Sequence, residues 1–241
     1  MYNKETRRVD WIQVAVPNPQ IAMQWFCDNF GFEYCSNMAC GIKNGNCRML
    51  FVSKDGRKKD YTPDVCFAGY EHIALEAQDI NNALQYCKEQ GMELETDEEC
   101  VFYNPKIWGT GMNYFNILTP WGLKVEIAQR LDRKLINPKG KNIAGLDHLG
   151  IEVSNIEESI EYYQNLGFIQ ACPRVQNLTD QGAVLCTMLK LDDFIIELYQ
   201  FVLKKDYRQN LNNGVQGIVF SKRAGDEYHL LLGPDGEVAL G

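Results

Sequence analysis

Apolar positions in this chain recur in short blocks of alternating or helical period. Leu146-Asp147-His148-Leu149-Gly150-Ile151-Glu152-Val153 reads as a half-buried strand, and a helix follows with Ile156, Ile160, Tyr163 and Leu166 on one face. Ser154 or Asn155 serves as its N-cap, Glu157 and Glu158 favour its first turn, and Gly167 ends it. Phe194 to Tyr199 then forms an apolar strand. The same order appears upstream, with a strand over Tyr70 to Leu75, a helix over Asp79 to Gln90 stopped by Gly91, and a strand over Leu123 to Ile127. Val9 to Val16 alternates as a strand, Pro17-Asn18-Pro19 breaks it, and a helix carries Ile21, Met23, Trp25, Phe26 and Phe30. Strands over 33–40 and 47–52 are joined by the hairpin signal Asn44-Gly45. After Lys204 the pattern shrinks to strands over 214–220, 228–232 and 237–240, with no room for a helix.

The chain is thus four copies of one unit, the last cut down. The fold class is α+β, built from repeated βαβββ units. Residues 1–8 read as a loose arm, 53–69 as a linker, and 130–142 as the boundary between domains at 9–130 and 143–241.

Aligning the units puts Trp11, His72, His148 and Gln216 at one first-strand position, and Leu50, Glu126, Glu197 and Leu240 at one last-strand position. Histidine and glutamate are costly in apolar strands unless something pairs with them. The inner units keep both and the outer units lack both, which is what a shared role predicts. The stretch from Tyr103 to Tyr114 is long, aromatic and punctuated by glycine, a composition suited to a pocket wall, and Tyr103, Trp108, Asn113 and Tyr114 are its candidate substrate contacts.

A formal charge of −8 argues against nucleic acid or an anionic membrane as partner. The N-terminal residues carry no signal-peptide pattern, and no apolar run approaches the length of a membrane span. The nine cysteines include no Cys-x-x-Cys pair and fall mostly in apolar segments. Together these predict reduced thiols and a cytoplasmic protein; the partner, a small-molecule substrate, and the state, monomer or homodimer, are what the resemblance described next implies.

The units containing Asp147-His148-Leu149-Gly150-Ile151-Glu152-Val153, Tyr162-Tyr163-Gln164-Asn165-Leu166-Gly167-Phe168 and Ile196-Glu197-Leu198 resemble those of the vicinal oxygen chelate superfamily. That superfamily includes glyoxalase I, bleomycin-resistance proteins and extradiol dioxygenases. The resemblance implies that two units form a curved mixed sheet around a cavity, with a divalent metal held by first-strand and last-strand residues of both. If the second unit pairs with the third, one cavity receives His72, Glu126, His148 and Glu197, a donor set suited to Zn, Ni, Mn, Co or Fe; the same four meeting across a dimer is a variant. The activity implied is a metal-dependent lyase or isomerase of glyoxalase type acting on an α-hydroxycarbonyl or thiohemiacetal. One glutamate serves as base, Glu197 ahead of Glu126 by resemblance. An extradiol Fe(II) dioxygenase and a non-enzymatic binding protein are the alternatives.

Overall fold

The computed structural model describes residues 8–54, 66–95, 101–133, 142–179, 182–204, 207–209, 214–221 and 229–241. Most of the expected arm, residues 55–65 of the linker, residues 134–141 of the boundary and Tyr228 lie outside these. The first unit comprises β1 (Val9–Val16), α1 (Pro19–Phe30), β2 (Glu33–Tyr34), β3 (Gly41–Asn44) and β4 (Cys47–Ser53). The second comprises β5 (Cys66–Ala77), α2 (Ile80–Glu89), β6 (Glu93–Leu94), β7 (Phe102–Asn104), β8 (Met112–Leu118) and β9 (Lys124–Arg130), with a 3₁₀ turn at Ile107–Gly109. The third comprises β10 (Ile143–Glu152), α3 (Ile156–Asn165), β11 (Ile169–Thr179), β12 (Gly182–Leu191) and β13 (Phe194–Phe201). The last strands are β14 (Tyr207–Gln209), β15 (Gly214–Phe220), β16 (Leu230–Leu232) and β17 (Val238–Leu240).

Each helix begins in the same way. Asn18, Asp79 and Asn155 occupy extended N-cap positions, and their side chains accept hydrogen bonds from the first free backbone N–H groups of α1, α2 and α3. Gly31, left-handed at φ 67°, stops α1. The strand expected over 33–40 is instead two residues of β2 followed by a turn, and Gly41 starts β3.

The strands form two open, curved, mixed sheets. One runs β11-β12-β13-β10-β5-β9-β8-β6, the other β16-β17-β15-β1-β4-β3-β2. The second unit therefore joins the third, and the first joins the C-terminal strands β15 to β17. Both joins obey one plan: the first and last strands of a unit lie parallel (β5 with β9, β10 with β13), and the first strands of the two units meet antiparallel. The same plan at β1 and β15 pairs Trp11 with Val219 and Gln13 with Gly217. Gly217, not Gln216, therefore takes the position equivalent to His148. That one-residue slip moves Gln216 to the other face.

Helices cover one face of each sheet. Trp25 of α1 meets Trp121, which precedes β9, edge to face at 5.6 Å, so the helix layers of the two sheets share one core. Asn46 ties the sheets further, exchanging hydrogen bonds with the backbone N–H and C=O of Leu146 at 2.8 and 3.1 Å. Among the described residues no helix is long and apolar enough to cross a membrane.

Just before β17, Glu237 is buried, and one of its carboxylate oxygens has no hydrogen-bond partner among the described residues. Burial pushes its pKa up from 4.5 to about 6, and the backbone N–H of Asp235 offsets that only in part. The folded state holds this proton more tightly than the unfolded chain. Its contribution is complete below pH 4.5 and is lost as the pH rises through 6, a change of about 2 kcal/mol for a shift of this size. Glu237→Gln should therefore flatten the stability profile between these limits and raise the melting temperature at pH 7 relative to the parent, as read by thermal melts across pH.

Candidate metal centre

The four central strands of the larger sheet, β9-β5-β10-β13, carry one expected site residue each. Glu126 lies on β9, His72 on β5, His148 on β10 and Glu197 on β13. All four come from one chain, and their side chains converge on the face opposite the helices. The two imidazoles meet edge to face, with His72 Nε2 and His148 Nε2 3.2 Å apart. Glu197 Oε2 lies 3.4 Å from His148 Nε2 and 3.7 Å from His72 Nε2, and Glu126 Oε1 lies 3.5 Å from His148 Nε2. His72, His148 and Glu197 each offer a donor atom, and these three atoms lie within 4.8 Å of one another.

Such closeness requires space on the neighbouring strand. Gly150 of β10 pairs with His72, and a Cβ there would lie 2.0 Å from His72 Cε1. The glycine is present because the ring occupies the volume a side chain would need.

Three of the four residues are held from behind. His72 Nδ1 lies 2.7 Å from Glu71 Oε2, His148 Nδ1 lies 2.8 Å from Asp147 Oδ2, and the Cys186 thiol donates to Glu197 Oε1 at 2.9 Å. Glu126 has no such support among the described residues: its Oε1 is buried without a hydrogen-bond partner there. The electrostatics reflect this difference. Burial pushes Glu126 up to about 7, against the pull of the two histidines. Burial opposes ionisation of Glu197 as well, but the hydrogen bond and charge of His148 outweigh it and hold Glu197 below the usual carboxylate range. His148 is raised despite burial by Asp147, Glu197 and Glu126. Two imidazole nitrogens and the Glu197 carboxylate, with the unpartnered Glu126 oxygen beside them, make a set of groups that a divalent cation fits.

Of the expected wall residues, Tyr114 faces the donors. It shares a face with Glu126 through the pairs Tyr114 with Ala128 and Asn116 with Glu126. Burial raises its phenol, as do the carboxylates of Glu126 and Glu197. Asn113, one position away on β8, points to the opposite face. Tyr103 is 56% exposed, its ring lying over Gly111. Trp108 lines a separate cavity of about 640 Å³ bounded also by Arg130, Arg133, Cys172, Lys190 and Ile195, and none of the four donors borders it. Trp108 adopts a left-handed φ of 59°, its ring under the Arg130 guanidinium at 3.5 Å, and the buried Ile107 beside it packs in one apolar cluster with Cys172, Cys186, Met188 and Ile195. Tyr199, unmarked in the sequence, stacks at 6.2 Å on His72. Its place two residues beyond Glu197 on the same strand face was the available signal.

The model of the Glyoxalase/Bleomycin resistance protein/Dioxygenase superfamily matches residues 8–127. The chain belongs to this superfamily. A variant of glyoxalase I from Zea mays is similar in structure at a TM-score of 0.68 and 15% identity, covering 98% of this chain and 92% of that one. Glyoxalase I from Zea mays without that change gives 0.61 at 16% identity, over 89% of this chain and 74% of that one. At these identities the likeness is one of fold. No curated protein matches the sequence.

Proposed function

We propose that this chain is a glyoxalase-type, metal-dependent lyase or isomerase, with His72, His148 and Glu197 holding one divalent cation and Glu126 serving as the base. The observation that carries the proposal is the difference in support. Each of the three donors is oriented by a neighbour, whereas Glu126 has an oxygen without a partner among the described residues and a pKa raised to about 7. A base poised near neutrality can both accept and return a proton. This reverses the order implied by the resemblance, which put Glu197 first.

A divalent cation bound there supplies a Lewis acid that stabilises negative charge on adjacent oxygens of an α-hydroxycarbonyl or thiohemiacetal. Glu126 removes the carbon-bound proton: the C–H bond breaks, an O–H bond forms on Glu126, and the electron pair moves into the neighbouring carbonyl to leave an enediolate. Returning the proton to the adjacent carbon, while the hydroxyl proton passes from the first oxygen, which becomes the carbonyl, to the second, completes the isomerisation without net change of atoms or charge. Glu197, held ionised by His148, stays a donor throughout. Tyr114 and Tyr199 flank the donors and limit water.

A second reading is favoured by the same three donors. Two histidines and one carboxylate also suit Fe(II) in an oxygenase, and an anaerobic assay separates the two, since isomerisation needs no oxygen. Elemental analysis tests the shared premise. The purified protein should contain one metal equivalent, and His72→Ala and His148→Ala should each lose all of it. Metal retained in either variant would count against a jointly built site, and a metal-free parent would favour a binding protein.

A further inference from the structure

Glu71 and Asp147 stand at equivalent places behind the two histidines. Along β10, Leu146 pairs with Leu75 and His148 with Ala74, so Asp147 is an extra residue with no partner on β5. Along β5, His72 pairs with Gly150 and Tyr70 with Ile151, so Glu71 is the extra residue there. A β-bulge breaks the alternation of a strand and can re-aim side chains. Leu146 and Leu149, and likewise Tyr70 and Ile73, enter the core three positions apart, while the acidic residue and histidine between them turn the other way.

The result is a carboxylate on each Nδ1, at 2.7 Å for Glu71 and 2.8 Å for Asp147. The carboxylates are themselves met by cations. Lys124 Nζ lies 2.7 Å from Glu71 Oε1, and Arg133 Nη2, which is bonded to Glu76, lies 3.5 Å from Asp147 Oδ1. The two arrangements use different acids and different cations. What they share is the bulge and the distance to Nδ1.

We infer that Glu71 and Asp147 are positioning residues, each accepting the Nδ1 proton of the histidine next to it in sequence and so presenting Nε2 as the metal donor. This rests on the metal centre proposed above. A carboxylate on the far nitrogen fixes the imidazole's tautomer and orientation and makes it a stronger donor. An ion pair that only stabilised the sheet would not need a bulge at the same place in both units, nor the bond to Nδ1.

The full chain, with zinc as the probe, provides the test. Imidazole ¹H–¹⁵N spectra of the zinc-loaded protein should show two slowly exchanging Nδ1–H signals. Glu71→Ala should remove the signal of His72 alone, and Asp147→Ala that of His148 alone. Each should weaken zinc binding about 10- to 100-fold in a competition titration. Glu71→Gln and Asp147→Asn keep a carbonyl acceptor and should keep the signals, with a smaller loss of affinity. These two carry the test if melting curves show an alanine variant to be unfolded, and loss of their signals would then overturn the inference. Alanine variants that bind zinc as the parent does, with both signals intact, would overturn it too. A parent that takes up no zinc defeats the metal centre instead. The same signals, recorded at high pH on the zinc-free protein, then decide the positioning role: one-to-one loss supports it, and loss of both or neither removes it.

Discussion

Glu126→Gln should leave the protein with its full metal content and slow proton transfer about 10²- to 10⁴-fold, the range that a positioned acid-base group contributes. Glu197→Gln should do something different, lowering metal content first and activity as a consequence. The two glutamates occupy matched last-strand positions, Glu126 opposite Ala74 and Glu197 opposite Gly150, so nothing in the backbone pairing separates them. Their surroundings do. Cys186 donates to Glu197, whereas no side chain among the described residues donates to Glu126 Oε1. Solvent-deuterium incorporation into the hemithioacetal of a 2-oxoaldehyde and a small thiol measures proton transfer, and elemental analysis measures metal. If Glu126→Gln retained exchange while Glu197→Gln lost it with metal still bound, the roles would have to be reversed.

Much of this centre is legible in the sequence because strand and helix periods are local. The matched histidines and glutamates emerge from aligning the repeats, and their shared placement is settled once β5 pairs with β10. The positioning acids are harder to find, although they leave a trace. Tyr70-Glu71-His72-Ile73 and Leu146-Asp147-His148-Leu149 each place two polar residues between two apolar ones, a step that strict alternation does not allow. A strand with that interruption must bulge if both apolar residues are to be buried, and both are. Asn113 and Gln216 show the opposite failure. Composition names a residue type but not its register, and a shift of one position exchanges cavity for the other face. Trp108 is legible as a wall residue, yet the cavity it borders is walled by residues distant in sequence, among them Leu146, Cys172, Lys190 and Ile195, long-range neighbours without a local signature.

Gly150→Ala should cripple the centre without touching any donor. The added methyl would lie 2.0 to 2.4 Å from three atoms of the His72 ring, far inside contact distance. The β10 backbone cannot easily retreat, because Gly150 pairs with His72 on one side and Glu197 on the other. The ring must therefore turn away, breaking its 2.7 Å contact with Glu71 and its 3.2 Å approach to His148. Overpacking of this kind costs roughly 1–3 kcal/mol, or about 2–12 °C in melting temperature for a chain of this size. Loss of one of three donors should weaken zinc binding by at least about 100-fold. The double variant His72→Ala/Gly150→Ala separates steric conflict from general disruption of the strand. With the ring gone the methyl has room, so adding Gly150→Ala to His72→Ala should cost much less stability than adding it to the parent, a coupling of about 1–2 kcal/mol in denaturant titrations. Additive losses would mean that Gly150 serves the backbone of β10, and that the space it leaves for His72 is incidental.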